Sequence, residues 1–435
     1  MSKPKEFSPM TKDKLMTYTF IALLVLAVVS YLSFGVESLI LTLISVGVAV
    51  GIDLLFSKVA VDSPLNIMSA GVFGLIVALS YTLGRPTMAT IEVLPLIPPG
   101  SYIFVALIST IGMVIFKKIQ GLPGRKYVNP AAAAKLVAMI PFLDTVLLAK
   151  DHLVSGALSV PALAGPIGYE VIGNNGLASF AGYIQACFAN PTATEYSPVY
   201  QLMLVQKWHG WVGGVSSIAV IAVGIALFVL CRRYIKWRIT VSYLATVALF
   251  ALMLGFVYGD GDPLLRAVFH LFIGSSIFLA FFMATDPATT PLTYAGQGIF
   301  GVGLGILTVL IQTYMNFFGG SILALVIMNV LSPKLDKIGK LKPSTETKEP
   351  KLPKAKQFTK VKTYECIRCG ACMRVCCHKL SPILIKQAFD KQDVNTVSKL
   401  NADYCTGCGH CTFICPARID LRASILRAKA MLRGQ

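Results

Sequence analysis

The stretch Cys366-Ile-Arg-Cys369-Gly-Ala-Cys372-Met-Arg-Val-Cys376 is answered further along the chain by Cys405-Thr-Gly-Cys408-Gly-His-Cys411-Thr-Phe-Ile-Cys415-Pro416. Both runs have the spacing C-x2-C-x2-C-x3-C. Three Cys within seven residues can wrap three corners of an iron-sulfur cube, while the fourth, one helical turn on, points away to a second cube. The spacing therefore predicts two [4Fe-4S] clusters with crossed ligation. The first takes Cys366, Cys369, Cys372 and Cys415, and the second takes Cys405, Cys408, Cys411 and Cys376. Zinc also binds paired C-x2-C motifs, but it closes a site with four ligands and lacks this third-plus-fourth arrangement. Position 377 is Cys where Pro usually follows the fourth ligand, so Cys377 is a packed neighbour, a spare thiol or a competing ligand.

The other two of the eleven Cys, Cys187 and Cys231, stand alone, which does not suit a disulfide framework. Of the 435 residues 55% are hydrophobic and 14% charged, where a soluble domain carries about a quarter charged residues. The bulk of the chain therefore sits in lipid. The net charge of +18 comes from Lys and Arg placed between apolar runs and in one tail, with no folded basic face. Membrane topology accounts for that pattern and nucleic acid does not. The first apolar run, from near Thr17, is too long for a signal peptide and has no small-residue cleavage site, so it reads as a retained helix.

Apolar runs that approach the ~30 Å of a bilayer core begin near Thr17, Leu39, Asn66, Ser101, Pro130, Gly210, Ile239, Arg266, Gly298 and Gly320. With the amino terminus inside, Lys3, Lys5, Lys12, Lys14, Lys58, Lys117, Lys118, Arg125, Lys126, Arg232, Arg233, Lys236 and Arg238 fall on the cytoplasmic side. Arg85, Lys150, Lys207 and Arg266 face outward. That asymmetry sets the orientation, and an even number of spans puts both termini, and the cysteine motifs, in the cytoplasm. Ser63-Pro64 before the third span matches Asp262-Pro263 before the eighth, and Asn129 in VNPAA matches Asn329 in MNVLSP. Five spans per copy make the second copy inverted; the alternative is coincidence among apolar segments.

The expected fold class is an all-α polytopic membrane protein of about ten transmembrane helices in two inverted repeats, followed by a small α+β two-cluster domain. The expected division is 1–16 as a cytoplasmic amino terminus, 17–333 as the transmembrane domain, 334–362 as a linker rich in Lys and Pro, and 363–435 as the cluster domain. The linker composition cannot build a core and suits anionic headgroups. Residues 149–209 lie outside on this topology and are long enough to cover the outer face.

The transmembrane part resembles the D subunit of Rnf ion-translocating complexes and the B subunit of the sodium-pumping NADH:quinone reductase. The resemblance rests on GRKYVNPAAA (124–133), on 210–217 leading into WRI (237–239), and on FFMATDPATTP (281–291). The tail resembles the ferredoxin-like end of the Rnf C subunit through ECIRCGACMRVC (365–376) and CTGCGHCTFICPARIDL (405–421). The resemblance implies a subunit of a redox-driven ion translocase in a prokaryotic inner membrane. Its implied partners are other complex subunits and a low-potential, ferredoxin-like cytoplasmic donor. It also implies FMN, attached through phosphate to the last Thr of SGAT on the outer side. The counterpart here is Ser155-Gly156-Ala157-Leu158, and Leu158 has no hydroxyl; Ser159 is adjacent. Gly214 stands where the family usually has Glu. Three arrangements follow: FMN bound noncovalently, FMN attached at Ser159 or another hydroxyl, or no flavin; nothing here decides on riboflavin.

Asp53 and Asp286 are acids within or beside spans, where a functional role is the default expectation. Asp286 either caps a broken helix or joins Ser155 and Ser159 in a flavin or ion pocket. His270 is a proton relay or a hydrogen-bonded structural residue. Trp208 and Trp211, flanking His209, read as interfacial anchors. Arg125 and Lys126 follow the positive-inside rule or touch a cofactor, and Asn129 with Pro130 opens a helix. No GxGxxG follows a strand, so nicotinamide chemistry belongs to another subunit. Three functions remain: an electron-transfer subunit, a redox-gated transporter, or a membrane anchor that docks other subunits without flavin.

Overall fold

The computed structural model describes residues 8, 10–59, 65–83, 97, 100–120, 126–139, 210–258, 263–272, 276–314, 320–338 and 363–433. The membrane part is a helical bundle: α1 Lys12–Phe34, α2 Val36–Val59, α3 Ile67–Leu79, α4 Gly100–Ile111 with a π-helical continuation Gly112–Ile119, and α5 Pro130–Met139. Then come α6 Ser217–Leu230, α7 Trp237–Tyr258, α8 Pro263–Phe272, α9 Ser276–Phe278 continued by the π-helical Leu279–Met283, α10 Tyr294–Tyr314 and α11 Gly320–Leu335. Capping residues mark the starts. Thr11 accepts from the Lys14 amide, Asn66 from Ser69 and Ser216 from Ala219, each satisfying an amide the first turn leaves unpaired.

Among the described residues five helices are long and apolar enough to cross a membrane, namely α1, α2, α4 with its continuation, α7 and α10, and three shorter ones, α3, α6 and α11, are apolar. Their outer faces carry exposed Leu32, Ile103, Val229, Leu249 and Phe256, a surface suited to lipid rather than water. Inside, α7 and α10 approach closely because Gly305 faces the Tyr243 carbonyl, where an added Cβ would lie only 3.1 Å away; small residues allow such contacts in lipid.

One expected span start is displaced. Gly210 does not open a helix: Gly210–Trp211 pairs antiparallel with Thr82–Leu83, a tight turn Val212–Gly214 follows, and α6 begins at Ser217. Trp211 is not an interfacial anchor either. It is buried, its ring centre 5.7 Å from that of Phe278 in an edge-to-face contact and 4.6 Å from the Lys135 ammonium, and the Tyr81 carbonyl accepts from the next amide, that of Val212. Trp208 and His209 lie outside the described residues.

The tail departs from the expected α+β domain. Residues 363–433 hold α12 Ala371–Arg374, α13 Pro382–Asp390, α14 Val394–Lys399, a turn Ala402–Tyr404, α15 His410–Ile414 and α16 Leu421–Arg433, and no strand. Instead of a ladder, the Tyr364 amide donates to the Ala417 carbonyl. The chain between the motifs favours helix: Pro382 occupies a first-turn position and Asp393 caps α14 through the Thr396 amide. Its core packs Leu380, Ile383, Ile385, Val397, Leu400 and Ile425 between α13, α14 and α16. The linker boundary also moves, since α11 runs through Pro333 to Leu335 and residues 336–338 continue as a turn; residues 339–362 lie outside the described ones.

Candidate metal centre

The two cysteine runs fold as repeats of one another. The backbone turns left-handed just before and just after the second Cys of each, at Arg368 and Gly370 in the first and Gly407 and Gly409 in the second, and again at Lys379 and Arg418 after the fourth. These turns aim amides at sulfur. Arg368 N–H donates to Cys366 Sγ at 3.3 Å and Gly407 N–H to Cys405, while the amides of His378 and Leu380 serve Cys376 as those of Ala417 and Ile419 serve Cys415. Hydrogen bonds of this kind stabilise thiolate sulfur and tune a cluster held by it.

Two cavities result. One is lined by Cys366, Cys369, Cys372 and Cys415, and the other by Cys405, Cys408, Cys411 and Cys376. The fourth Cys of each run has crossed to the other group. Burial pushes the Cys369 and Cys411 thiols up to about 12, so their thiolates need compensating positive charge, which iron supplies. Among the described residues no group of three or more Cys, His, Asp or Glu is gathered closely enough to hold a single metal ion. Four sulfurs around each cavity, amides directed at them and apolar walls of Ile367, Ile383, Leu421 and Ile425 fit a cubane in each. Cys377 is half-buried, its Sγ 3.9 Å from Cys408 Sγ.

The first group is seated on the membrane domain. Arg368 pairs with Asp336 at the end of α11 (3.1 Å), and the other Asp336 oxygen accepts from the Leu292 amide (2.7 Å). Gly370 lies against Leu292. Arg374 donates to the Ile235 carbonyl (3.3 Å), the Ser8 and Lys12 amides donate to the Phe413 and Pro416 carbonyls, and Tyr364 donates to Asp13 (2.6 Å). Beneath them Lys236 is buried and donates to the Pro287 carbonyl and to both oxygens of Thr290 at 2.8 to 2.9 Å. Sequence reasoning placed Lys236 on the inner side but missed its burial, and it missed Asp336, Arg368 and Leu292. The available signals were Asp336 as a lone acid among Lys334, Lys337 and Lys340, and Arg368 where the second motif has Gly407.

Other expected residues find local partners. Asp286 accepts from the Ala288 amide and the Thr289 hydroxyl, the geometry of a capped turn. Asp53 pairs with Lys118 at 2.6 Å and accepts from the Asn66 amide. His270 Nδ1 is 2.8 Å from Gln312 Oε1. Asn129 caps α5 through the amides of Ala131 and Ala132, while its own amide group donates to the Met283 carbonyl, joining VNPAA to FFMATDP. Ser155, Leu158, Ser159, Arg125 and Cys187 lie outside the described residues. At Gly214 an added Cβ would meet nothing nearer than Trp211 Cβ at 3.9 Å, so a side chain has room to start there.

Comparison with known proteins agrees with this division. A family model described as NQR2, RnfD, RnfE family matches residues 1–344, and one described as a 4Fe-4S dicluster domain matches residues 365–419. The chain is 28% identical to the D subunit of a proton-translocating ferredoxin:NAD(+) oxidoreductase complex from Clostridium ljungdahlii, over 75% of this chain and 89% of the relative. It is 28% identical to the D subunit of a Na(+)-translocating ferredoxin:NAD(+) oxidoreductase complex from Acetobacterium woodii, over 75% and 88%. Against the B subunit of a Na(+)-translocating NADH-quinone reductase from Ectopseudomonas mendocina the identity is 29%, over 55% and 56%. A multi-pass membrane chain with these matches and this tail belongs to the NQR2, RnfD, RnfE family and carries a 4Fe-4S dicluster domain at its carboxyl end.

Proposed function

We propose that the chain is an electron-transfer subunit of an Rnf-like ion-translocating oxidoreductase complex in a prokaryotic cytoplasmic membrane, accepting electrons from a low-potential, ferredoxin-like cytoplasmic donor. The observation that carries this reading is the pair of cavities, each lined by four Cys, with the first seated against the membrane domain. Cys366, Cys369, Cys372 and Cys415 hold one [4Fe-4S] cluster and Cys405, Cys408, Cys411 and Cys376 the other; when bound, such clusters exchange single electrons. The polypeptide's part is to hold the sulfurs, direct amides at them and keep the first set dry.

The proposed topology has about ten spans in two inverted halves, both termini cytoplasmic. In its support, segments expected inside gather at one face: Ser8, Lys12 and Asp13, Ile235, Leu292 just after TDPATTP, and Asp336 all meet the tail. Those expected outside meet elsewhere, with Ser30 on α1 donating to the Val212 carbonyl and Thr82–Leu83 paired to Gly210–Trp211. We further propose domain limits of 17–338 for the membrane part and 363–435 for the cluster part. FMN bound through Ser155, Ser159 or the Asp286 turn continues the path across the membrane. The second reading, a docking subunit without flavin, is favoured by Leu158, which cannot form the phosphoester.

Iron and flavin analysis of the purified chain, with acid precipitation to separate attached from released flavin, tests this. About eight irons with flavin support the electron-transfer subunit. The same iron without flavin supports the docking subunit, and absence of iron overturns both.

A further inference from the structure

The two cysteine sets differ in what covers them. Around the first, Ile367, Arg368, Cys369 and Ala371 are all buried, and the covering atoms come from the membrane domain: Leu292 over Gly370, Asp336 on Arg368 and the Ile235 carbonyl on Arg374. The chain's own amino-terminal segment adds to this cover, with Lys12 N–H on the Pro416 carbonyl. Of this set Cys369, Cys372 and Cys415 are buried and Cys366 alone is half-buried.

The second set is held from within its own domain. Arg422 donates to the Gly407 carbonyl (2.5 Å), Lys429 to the Cys405 carbonyl (3.0 Å), and Thr406 Oγ1 lies 3.2 Å from His378 Nε2. The helix carrying Arg422 and Lys429 packs on α13, α14 and α15. Its outer side is open: Thr406, Lys379 and Arg427 are exposed, as is Leu426, whose side chain borders Gly407. Cys405 and Cys408 are only half-buried. The charge there is lopsided, with Lys379, Arg422 and Lys429 against the exposed acid Asp403. An exposed apolar side chain with cations nearby, beside a half-buried redox site, suits a transient, electrostatically steered encounter.

Building on the proposed function, we infer that the 405–409 loop, with Leu426 and the cations beside it, is the docking face for a small acidic electron-carrier protein, the first cysteine set being the less accessible of the two. The carrier is oxidised by one electron and the chain reduced by one; no bond or proton changes hands. The order of the two sets follows, with the second facing the cytoplasm and the first facing the TDPATTP turn.

The test uses the full chain in nanodiscs and an acidic bacterial ferredoxin as probe, with a basic cytochrome c as its charge-inverted counterpart. Binding is read by surface plasmon resonance at low salt. Lys379→Glu with Leu426→Glu should weaken ferredoxin binding at least about tenfold, while Lys334→Glu with Lys337→Glu, at the exposed end of α11, leaves it unchanged. Equal loss in both pairs, no loss in the first, or equally tight binding of the cytochrome overturns the inference. If iron content falls in the first pair, Leu426→Glu alone, outside the cysteine runs in sequence, decides by the same readout. A chain with its iron complete and no affinity for the ferredoxin overturns this inference alone; a chain without iron overturns the reading beneath it.

Discussion

At the scale of single residues, the crossed grouping of sulfurs makes a prediction that iron content can check. Because Cys376 lines the cavity of the second run and Cys415 that of the first, iron losses should follow the cavities and not the runs. Cys376→Ser with Cys408→Ser removes ligands from one cluster, so about four irons remain; Cys376→Ser with Cys369→Ser strikes both, so close to none remains. Iron analysis with electron paramagnetic resonance on the two double variants checks this, and the reverse pattern would mean each run ligates its own cluster. These eight Cys were legible in advance because cluster geometry constrains ligand spacing directly. Arg368 was not. Its positive φ of 54° would suit Gly, and a non-glycine residue there costs on the order of 1–2 kcal/mol. Its guanidinium meets Asp336, a pairing that exists only after the tail has docked, so the sequence marks each residue as unusual without pairing the two.

Elements tell a similar story. Apolar runs located the helices, since burial or lipid contact is what an apolar run requires, but they could not say where a helix starts when the preceding residues are apolar for another reason. Trp211 and Val212 are apolar because they fill the bundle between α3 and α9, and α6 waits for the Ser216 cap. Lys236 is the converse, a charged residue buried where the turn before α7 meets the TDPATTP turn. Burial first, and then the charge of Arg368, push it from the usual 10.5 to about 7. In the unfolded chain it keeps the usual value, so between about pH 7 and 10.5 the unfolded state binds more protons and stability rises with pH. Below about pH 7 both states are protonated and the contribution is flat. One such group gives a slope of at most about 1.4 kcal/mol per pH unit. Thermal unfolding in detergent from pH 7 to 9, compared between the wild type and Lys236→Met, should show a rise with pH that the variant reduces; parallel profiles would mean that the three acceptors on its ammonium hold the lysine charged throughout.

At the scale of the whole molecule, the cluster domain is more than a tethered passenger. Residues from the amino-terminal segment, from the turns before α7 and α10 and from the end of α11 all contribute to its seat, so segments far apart in the chain must first assemble as a bundle before the seat exists. Composition alone suggested a loose linkage for that reason. The seat combines buried apolar contact at Leu292 and Ile414 with a nearly inaccessible ion pair, Arg368 with Asp336. Salt at about 1 M screens exposed charges within about 3 Å but reaches buried pairs far less. Removing one partner of such a pair leaves the other charged, buried and alone, at a cost of about 3–5 kcal/mol. A protease site inserted between positions 345 and 355 separates these contributions from the covalent connection. After cleavage the wild-type cluster domain should stay with the membranes through washes at about 1 M salt, whereas the Asp336→Ala domain should appear in the supernatant, as read by iron and immunoblot in each fraction. Release of the wild-type domain at low salt would mean that the covalent link, and not the seat, keeps the two parts together, and the first cysteine set would then be open to partners as freely as the second.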